Sequence, residues 1–453
     1  MQMKFTHIFK VKAVAAVFVA LLAGITSCTG PLDMEFSPNL SNPQFERHEG
    51  VTLNEAPYFS RRVFVLFSFG FNDISSFLNG DIEELATGAL PDYGFGEDVV
   101  LVLKHNTFKN TKNYSQRTSP VLIQLYKRNE NIIRDTLKVY ADTTVAARAN
   151  IVNEVLTYAK TKFPAQSYGM LMSSHGSGWA PKGYCSSPPD KSADNGNIWI
   201  NSLNAYQDDG LPLTKSIGAH YTNTSTTFEI SIPDLADAIP IHLDYIIFDA
   251  CLMGGIEVAY ELKDKCDRIC FSQAEIMAEG MDYKNLLSSL FDYNEIDLLG
   301  VAESFYNQYK NLSGINRSAT ISVVDCRKLE PLSQIVEKHS EAINILARSN
   351  AREQVQGYFR PARKRGFGIF YDLQDIIVKS GASENETDEL VTALNNCVLC
   401  KYATEKFFAT YATHEFDIKT HSGLSMYLYD SDREILSEYY KTLKWEQKVR
   451  LIK

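Results

Sequence analysis

Beyond residue 25 the 453-residue chain has no apolar run long enough to cross a bilayer, so no further transmembrane helix is expected. Positive charge is not in excess. Lys and Arg number 45 against 55 Asp and Glu, a net charge of −10, and nucleic-acid binding as the main task is excluded because phosphates demand a cationic field. Cysteine is sparse at eight residues, too thin for a disulfide framework. The chain has no internal repeat, no low-complexity tract and no loop with EF-hand ligand spacing. What it does have is 45% hydrophobic and 11% aromatic residues, enough to bury a core in one large domain or two ordinary ones.

The first residues read as a targeting segment. Lys4, Lys10 and Lys12 form a basic stretch, and the apolar run Ala13 to Ile25 suits a signal sequence better than a membrane span. It ends in Ile25-Thr26-Ser27-Cys28, which resembles a bacterial lipobox. That resemblance implies removal of residues 1–27 and lipidation of Cys28, hence export and a membrane anchor in the bacterial envelope, with the outer membrane the expected address. The alternative is an ordinary secretory signal with an incidental cysteine. Residues 28–60, rich in Pro, Asn, Ser and charge, read as a tether.

Seven cysteines remain, an odd number that leaves at least one thiol unpaired. Cys266 and Cys270 are expected to share a helix face or straddle a helix end, and Cys397-Val398-Leu399-Cys400 is a CxxC. Both pairs lie among apolar residues with no second pair or His at ligand spacing, so they read as small buried hydrophobes rather than a zinc or redox site.

From residue 61 the pattern is that of strands alternating with helices. Val63 to Phe69, Val99 to Leu103, Tyr168 to Met172 and Tyr245 to Phe248 are apolar runs suited to strands covered on both faces. Val121 to Tyr140 reads as a hairpin, and Ala147 to Phe163 as an amphipathic helix stopped by Pro164. Arg268 to Ser272, Ala319 to Asp325, Gly368 to Tyr371 and Leu424 to Tyr429 complete the expected strands. Helices are expected at 255–263 and 329–346, and a helix-rich stretch to Thr410. The alternation predicts a mostly parallel sheet with helices on both faces. A domain of residues 61–300, carrying a polar insertion at 180–230, would be followed by a mixed α+β region at 301–453.

In such sheets, sites form beyond the carboxyl ends of strands, and His175 and Cys251 each follow a strand directly. A thiol nucleophile needs a nearby base and backbone N–H groups aimed at the oxyanion. His175-Gly176-Ser177-Gly178-Trp179 supplies a His followed by glycines, and Asp249-Ala250-Cys251 places a thiol at the turn into a helix.

The stretch Tyr168 to Trp179 resembles the His motif of the clostripain family of cysteine peptidases, and Ile246 to Met253 with Glu257 to Leu262 resembles its Cys motif. Weaker echoes run from Phe69 to Leu85, Ser272 to Tyr283 and Gly423 to Tyr427. The resemblance implies a caspase-like α/β/α sandwich and peptide-bond hydrolysis on protein or peptide substrates. Cys251 would be the nucleophile, His175 the base and acid, and the backbone N–H groups of Gly176 and Cys251 the oxyanion donors. Family members cleave after Arg or Lys, which casts Asp249 as a cation-binding residue or, alternatively, as a strand-end cap. The chain departs from the family at Ala278 to Tyr283, where Glu279 or Asp282 would have to supply acidity and Met281 replaces an aromatic. Trp179 is expected to pack near the site or in plain core. Lys182, Lys191 and Lys215 in the insertion are candidate self-cleavage points or plain solvated lysines. No cofactor is expected to be required, calcium being the one ion left open. Two other readings stand beside hydrolysis: an inactive lipoprotein that captures peptides or glycans, and a transpeptidase.

Overall fold

The structure, a computed structural model, describes residues 60–93, 98–181, 220–221, 227–358, 368–408, 415–431 and 433–452. Cys28, the signal segment, the tether and most of the insertion lie outside the described residues.

The long apolar runs become the centre of a nine-stranded sheet. Its strands are β1 (Ser60–Gly70), β2 (Val99–Asn106), β3 (Val121–Arg128), β4 (Asn131–Val139), β5 (Ala165–Ser173), β8 (Leu243–Asp249), β9 (Cys266–Phe271), β10 (Thr320–Asp325) and β12 (Val398–Ala403). The spatial order is β12-β10-β9-β8-β5-β1-β2-β3-β4. The five central strands from β9 to β2 are parallel, and the two at each edge are antiparallel. Short pairs lie outside the sheet: β6 (His220–Tyr221) with β7 (Thr227–Phe228), β11 (Tyr371–Asp372) with β15 (Ser425–Met426), and β13 (Lys406–Phe407) with β14 (Phe416–Asp417).

Side chains alternate across each strand, so a strand apolar throughout must be covered twice. In β1, Val63, Val65, Phe67 and Phe69 enter one core while Phe64 and Leu66 enter the other. The first core is closed by helices that include Ala149–Lys162, Ile256–Leu262 and Glu384–Cys397. The second is closed by Ser75–Thr87, Tyr283–Leu290 and Leu298–Lys310. Burying each such Phe, Leu or Val contributes about 1.5–3 kcal/mol, so both faces of the sheet are held strongly. The result is a three-layer α/β/α arrangement.

Several details differ from expectation. Val398–Ala403 is not helical but an edge strand paired antiparallel with β10, whose outer edge would otherwise stand open. The mixed region expected after residue 300 thus contributes β10 and β12 to the same sheet. Cys266 and Cys270 sit on β9 rather than on a helix, because that segment pairs with β8 on one side and β10 on the other. The helix expected over 329–346 is two, Glu330–Lys338 and Ser340–Ala347, parted at His339. The last expected strand shrinks to Ser425–Met426. Cys266, Cys270 and Cys397 are buried and Cys400 half-buried, all as thiols.

Candidate functional site

β5 and β8 run parallel with Ser173 opposite Asp249. His175 and Cys251, each two residues further, therefore leave the sheet at the same edge. Their two turns meet backbone to backbone. A Cβ added at Gly176 would lie 2.2 Å from the Cys251 carbonyl oxygen and 2.9 Å from its nitrogen, so only glycine fits there. Gly178 has φ +58°, and a side chain there would also strike the Leu252 carbonyl at 2.6 Å.

The Cys251 turn stores strain. Leu252 has φ +61°, a left-handed conformation that costs a non-glycine residue about 1 kcal/mol or more. Its amide donates to Ala274 O at 2.8 Å and the Gly254 amide to Ser272 O at 2.7 Å, so the segment after β9 holds the turn in shape. The Cys251 thiol is buried, and its Sγ accepts from the Ile276 amide at 3.2 Å and donates to Ile276 O at 3.7 Å.

Asp73, just past the end of β1, completes the other half. Its Oδ1 lies 2.6 Å from His175 Nε2. Burial pushes the Asp73 carboxyl up, but the charge and hydrogen bond of His175 outweigh it and hold it below the ordinary carboxylate range. An ionised Asp73 accepts, so Nε2 is the nitrogen that donates to it and Nδ1 is turned away from it. Nδ1 is buried and makes no hydrogen bond. The imidazole stacks on Tyr221 with ring centroids 6.0 Å apart and planes at 16°, and a small apolar cavity bounded by Phe69, Met172, Ile230 and Phe248 adjoins it. The arrangement holds a buried imidazole, oriented by Asp73, and a buried thiol on adjoining turns.

The other sequence candidates separate. Asp249 is fully buried, accepting at Oδ2 from Ser173 Oγ at 2.9 Å and Tyr283 Oη at 2.7 Å. Burial and the Asp249 charge push the Tyr283 hydroxyl well above its usual range, so it remains a donor. Glu279 is exposed. Asp282 is occupied otherwise: it caps the helix Tyr283–Leu290 through the Asn285 amide at 3.2 Å and takes the Ser304 hydroxyl at 2.6 Å. Trp179 is 1% exposed and packs on Phe370, Tyr427 and Tyr440, beneath the site rather than in it. Lys182, Lys191 and Lys215 lie outside the described residues.

Sequence reasoning missed Asp73, Tyr221 and Glu257. The position of Asp73 at a strand end was a usable signal, because it shares an edge with His175. Glu257 opens the helix after the Cys251 turn and is fully buried. Its Oε1 accepts from the Tyr427 amide at 2.7 Å and Tyr440 Oη at 2.9 Å. Burial raises it to about 7, against the pull of those hydrogen bonds. Among the described residues no group of three or more His, Cys, Asp or Glu is placed to hold a metal ion, and no helix is long and apolar enough to cross a membrane.

The model of the clostripain family matches residues 193–451, more than half of the chain; the match contains Cys251 and begins after His175. No protein of curated function matches. Among solved structures, an inactive zymogen C11 protease from Parabacteroides distasonis is 23% identical with TM-score 0.68, over 87% of this chain and 99% of that one. A secreted C11 cysteine protease from Bacteroides thetaiotaomicron in complex with an irreversible peptide inhibitor is 21% identical with TM-score 0.64, over 86% and 99%. A further structure of a secreted C11 cysteine protease from that organism, called iotapain, gives 22%, 0.65, 87% and 100%. At these identities the likeness is one of fold.

Proposed function

The chain belongs to the clostripain family, and from that membership we propose that it is a cysteine endopeptidase with Cys251 as nucleophile and His175 as general base and acid. The observation that carries the reading is the parallel register of β5 and β8, which brings the two turns into backbone contact beside an imidazole oriented by Asp73.

In this mechanism His175 Nδ1 takes the thiol proton as Cys251 Sγ attacks the scissile carbonyl. The oxyanion is received by the backbone N–H groups of Gly176 and Cys251, and Asp73 stabilises the imidazolium that forms. His175 returns the proton to the departing amine, leaving a thioester on Cys251. A water deprotonated by His175 then hydrolyses the thioester and restores the thiol. The mechanism as proposed requires no metal, and calcium stays the one ion left open.

The proposed preference is for Arg or Lys before the scissile bond. Asp249, two residues before the nucleophile, and exposed Glu279 are the acidic groups assigned to it, Asp282 being engaged as a helix cap. Cleavage within the insertion at Lys182, Lys191 or Lys215 is proposed to activate the enzyme, in keeping with a neighbour of like fold solved as an inactive zymogen. Lipidation at Cys28 would anchor the exported protein to the envelope.

The test uses protein lacking residues 1–28 with fluorogenic peptides ending in Arg, Lys, Asp, Asn or Leu, beside Cys251→Ala and His175→Ala, with intact mass followed over time. Thiol-dependent cleavage after Arg or Lys that both substitutions abolish is expected. Hydrolysis near wild-type rates in either variant would sink the assignment, and cleavage after another residue would discard the acidic pocket alone.

A further inference from the structure

We propose that Glu257 is a positioning residue for this hydrolysis, tying the Cys251 turn and the loop after His175 to the carboxy-terminal segment around Tyr427 and Tyr440. The proposal rests on the reading of Cys251 as nucleophile. Glu257 stands six residues beyond Cys251, and its Oε1 accepts from two donors remote in the chain, the Tyr427 amide and the Tyr440 hydroxyl. The same segment also grips the turn itself. The Ser425 amide donates to Gly254 O at 2.8 Å, and Gly255 forms a parallel bridge with Ser425.

The His175 loop joins from the other side. Trp179, four residues beyond His175, packs its ring on Tyr427 and Tyr440, each with centroids 4.8 Å away. A Cβ at Gly255 would lie 3.8 Å from Trp179 Cδ1 and 2.8 Å from Glu257 Oε2, so the indole and the carboxyl both border the space beside Gly255. Three segments distant in sequence thus converge on Tyr427 and Tyr440, and Glu257 is the polar group that fixes both. Apolar packing alone would let them slide, whereas a buried acceptor with two fixed donors sets direction as well as distance. Small displacements of the nucleophile matter, because misplacement by about 1 Å costs on the order of 100-fold in rate.

The experiment compares full-length wild type with Glu257→Ala, Glu257→Gln and Tyr440→Phe. Two readouts are taken: kcat and KM per Cys251 site titrated by alkylation, and the pH profile of Cys251 alkylation by iodoacetamide, located by peptide mass. Gln offers the same Oε1 acceptor and is expected to stay within about twofold of wild type. Glu257→Ala and Tyr440→Phe are expected to lower kcat per titrated site about tenfold, with KM within about threefold and the alkylation profile displaced. Unchanged kcat per site and an unchanged profile in folded Glu257→Ala or Tyr440→Phe would overturn the proposal, since a merely structural role lowers the number of sites and not their rate. Gln falling as far as Ala would overturn it too. If Glu257→Ala does not fold, Tyr440→Phe, which keeps the ring, decides. Wild type without thiol-dependent turnover would refute the peptidase reading, and the alkylation profiles would still judge the positioning role.

Discussion

Glu257→Gln also makes a sharp prediction about stability. The carboxyl, fully buried, rises from 4.5 to about 7, chiefly through desolvation and against hydrogen bonds from Tyr427 and Tyr440. A raised carboxyl binds its proton more tightly in the folded chain than in the unfolded one. Its favourable contribution is therefore complete below about 4.5, falls away between there and 7, and is gone above 7, where the ionised group must be buried. At 1.36 kcal/mol for each tenfold in proton affinity, the folded state gives up about 3 kcal/mol by pH 8. Gln is isosteric with the protonated carboxyl and does not titrate, so the variant should match wild type at pH 4.5 and exceed it by about 3 kcal/mol at pH 8. Thermal unfolding, followed by near-ultraviolet dichroism in reducing buffer at both pH values, measures this as a midpoint raised by a few degrees at pH 8 alone. Equal differences at the two pH values would refute the titration argument, and a variant less stable at pH 8 would reverse its sign. Glu446, 4% exposed and raised to about 7 by burial, adds its own loss over the same window, so wild type itself should soften as pH climbs from 5 to 8.

Asp73→Asn should reduce kcat by about 100-fold or more, since an amide cannot hold the Nε2–H tautomer as a carboxylate does. The lowered Asp73 carboxyl also supports folding above its unfolded value near 4, so the stability gap to Asn should close as pH falls through the folded value; unfolding curves at pH 3 and 7 check this. Gly176→Ala would force a methyl against the Cys251 backbone, which cannot retreat, so a loss of about 2–3 kcal/mol and of peptidase activity is expected in urea titration and fluorogenic assay. Asp249→Asn should cut kcat/KM for Arg-ending peptides by about tenfold or more while sparing Leu-ending ones, and equal losses on both would remove Asp249 from specificity.

By itself the sequence determined the central sheet and the strand ends at which His175 and Cys251 stand. Val63 to Phe67 and Tyr245 to Phe248 are apolar at every position, and a strand with that pattern must lie between two layers. His175 and Cys251 follow such strands at once, so topology alone assigns them to one edge. The hairpin at Asn129 and Glu130, with φ of +50° and +63°, was legible in the same local way.

Tertiary structure decided whatever depended on a partner far away in the chain. Val398–Ala403 joins the sheet because β10 presents an open edge, and its own composition does not distinguish strand from helix end. Asp73 becomes the partner of His175 only when β1 and β5 lie side by side. The carboxylate of Asp282 could have faced a substrate, yet Asn285 and Ser304 reach it first. Glu257, on a helix that reads as ordinary, is drawn into the core by donors 170 and 183 residues distant. Periodicity reports which face of an element is buried; which polar group meets a buried polar atom is set by packing across elements, where hydrogen-bond geometry is decided within tenths of an ångström.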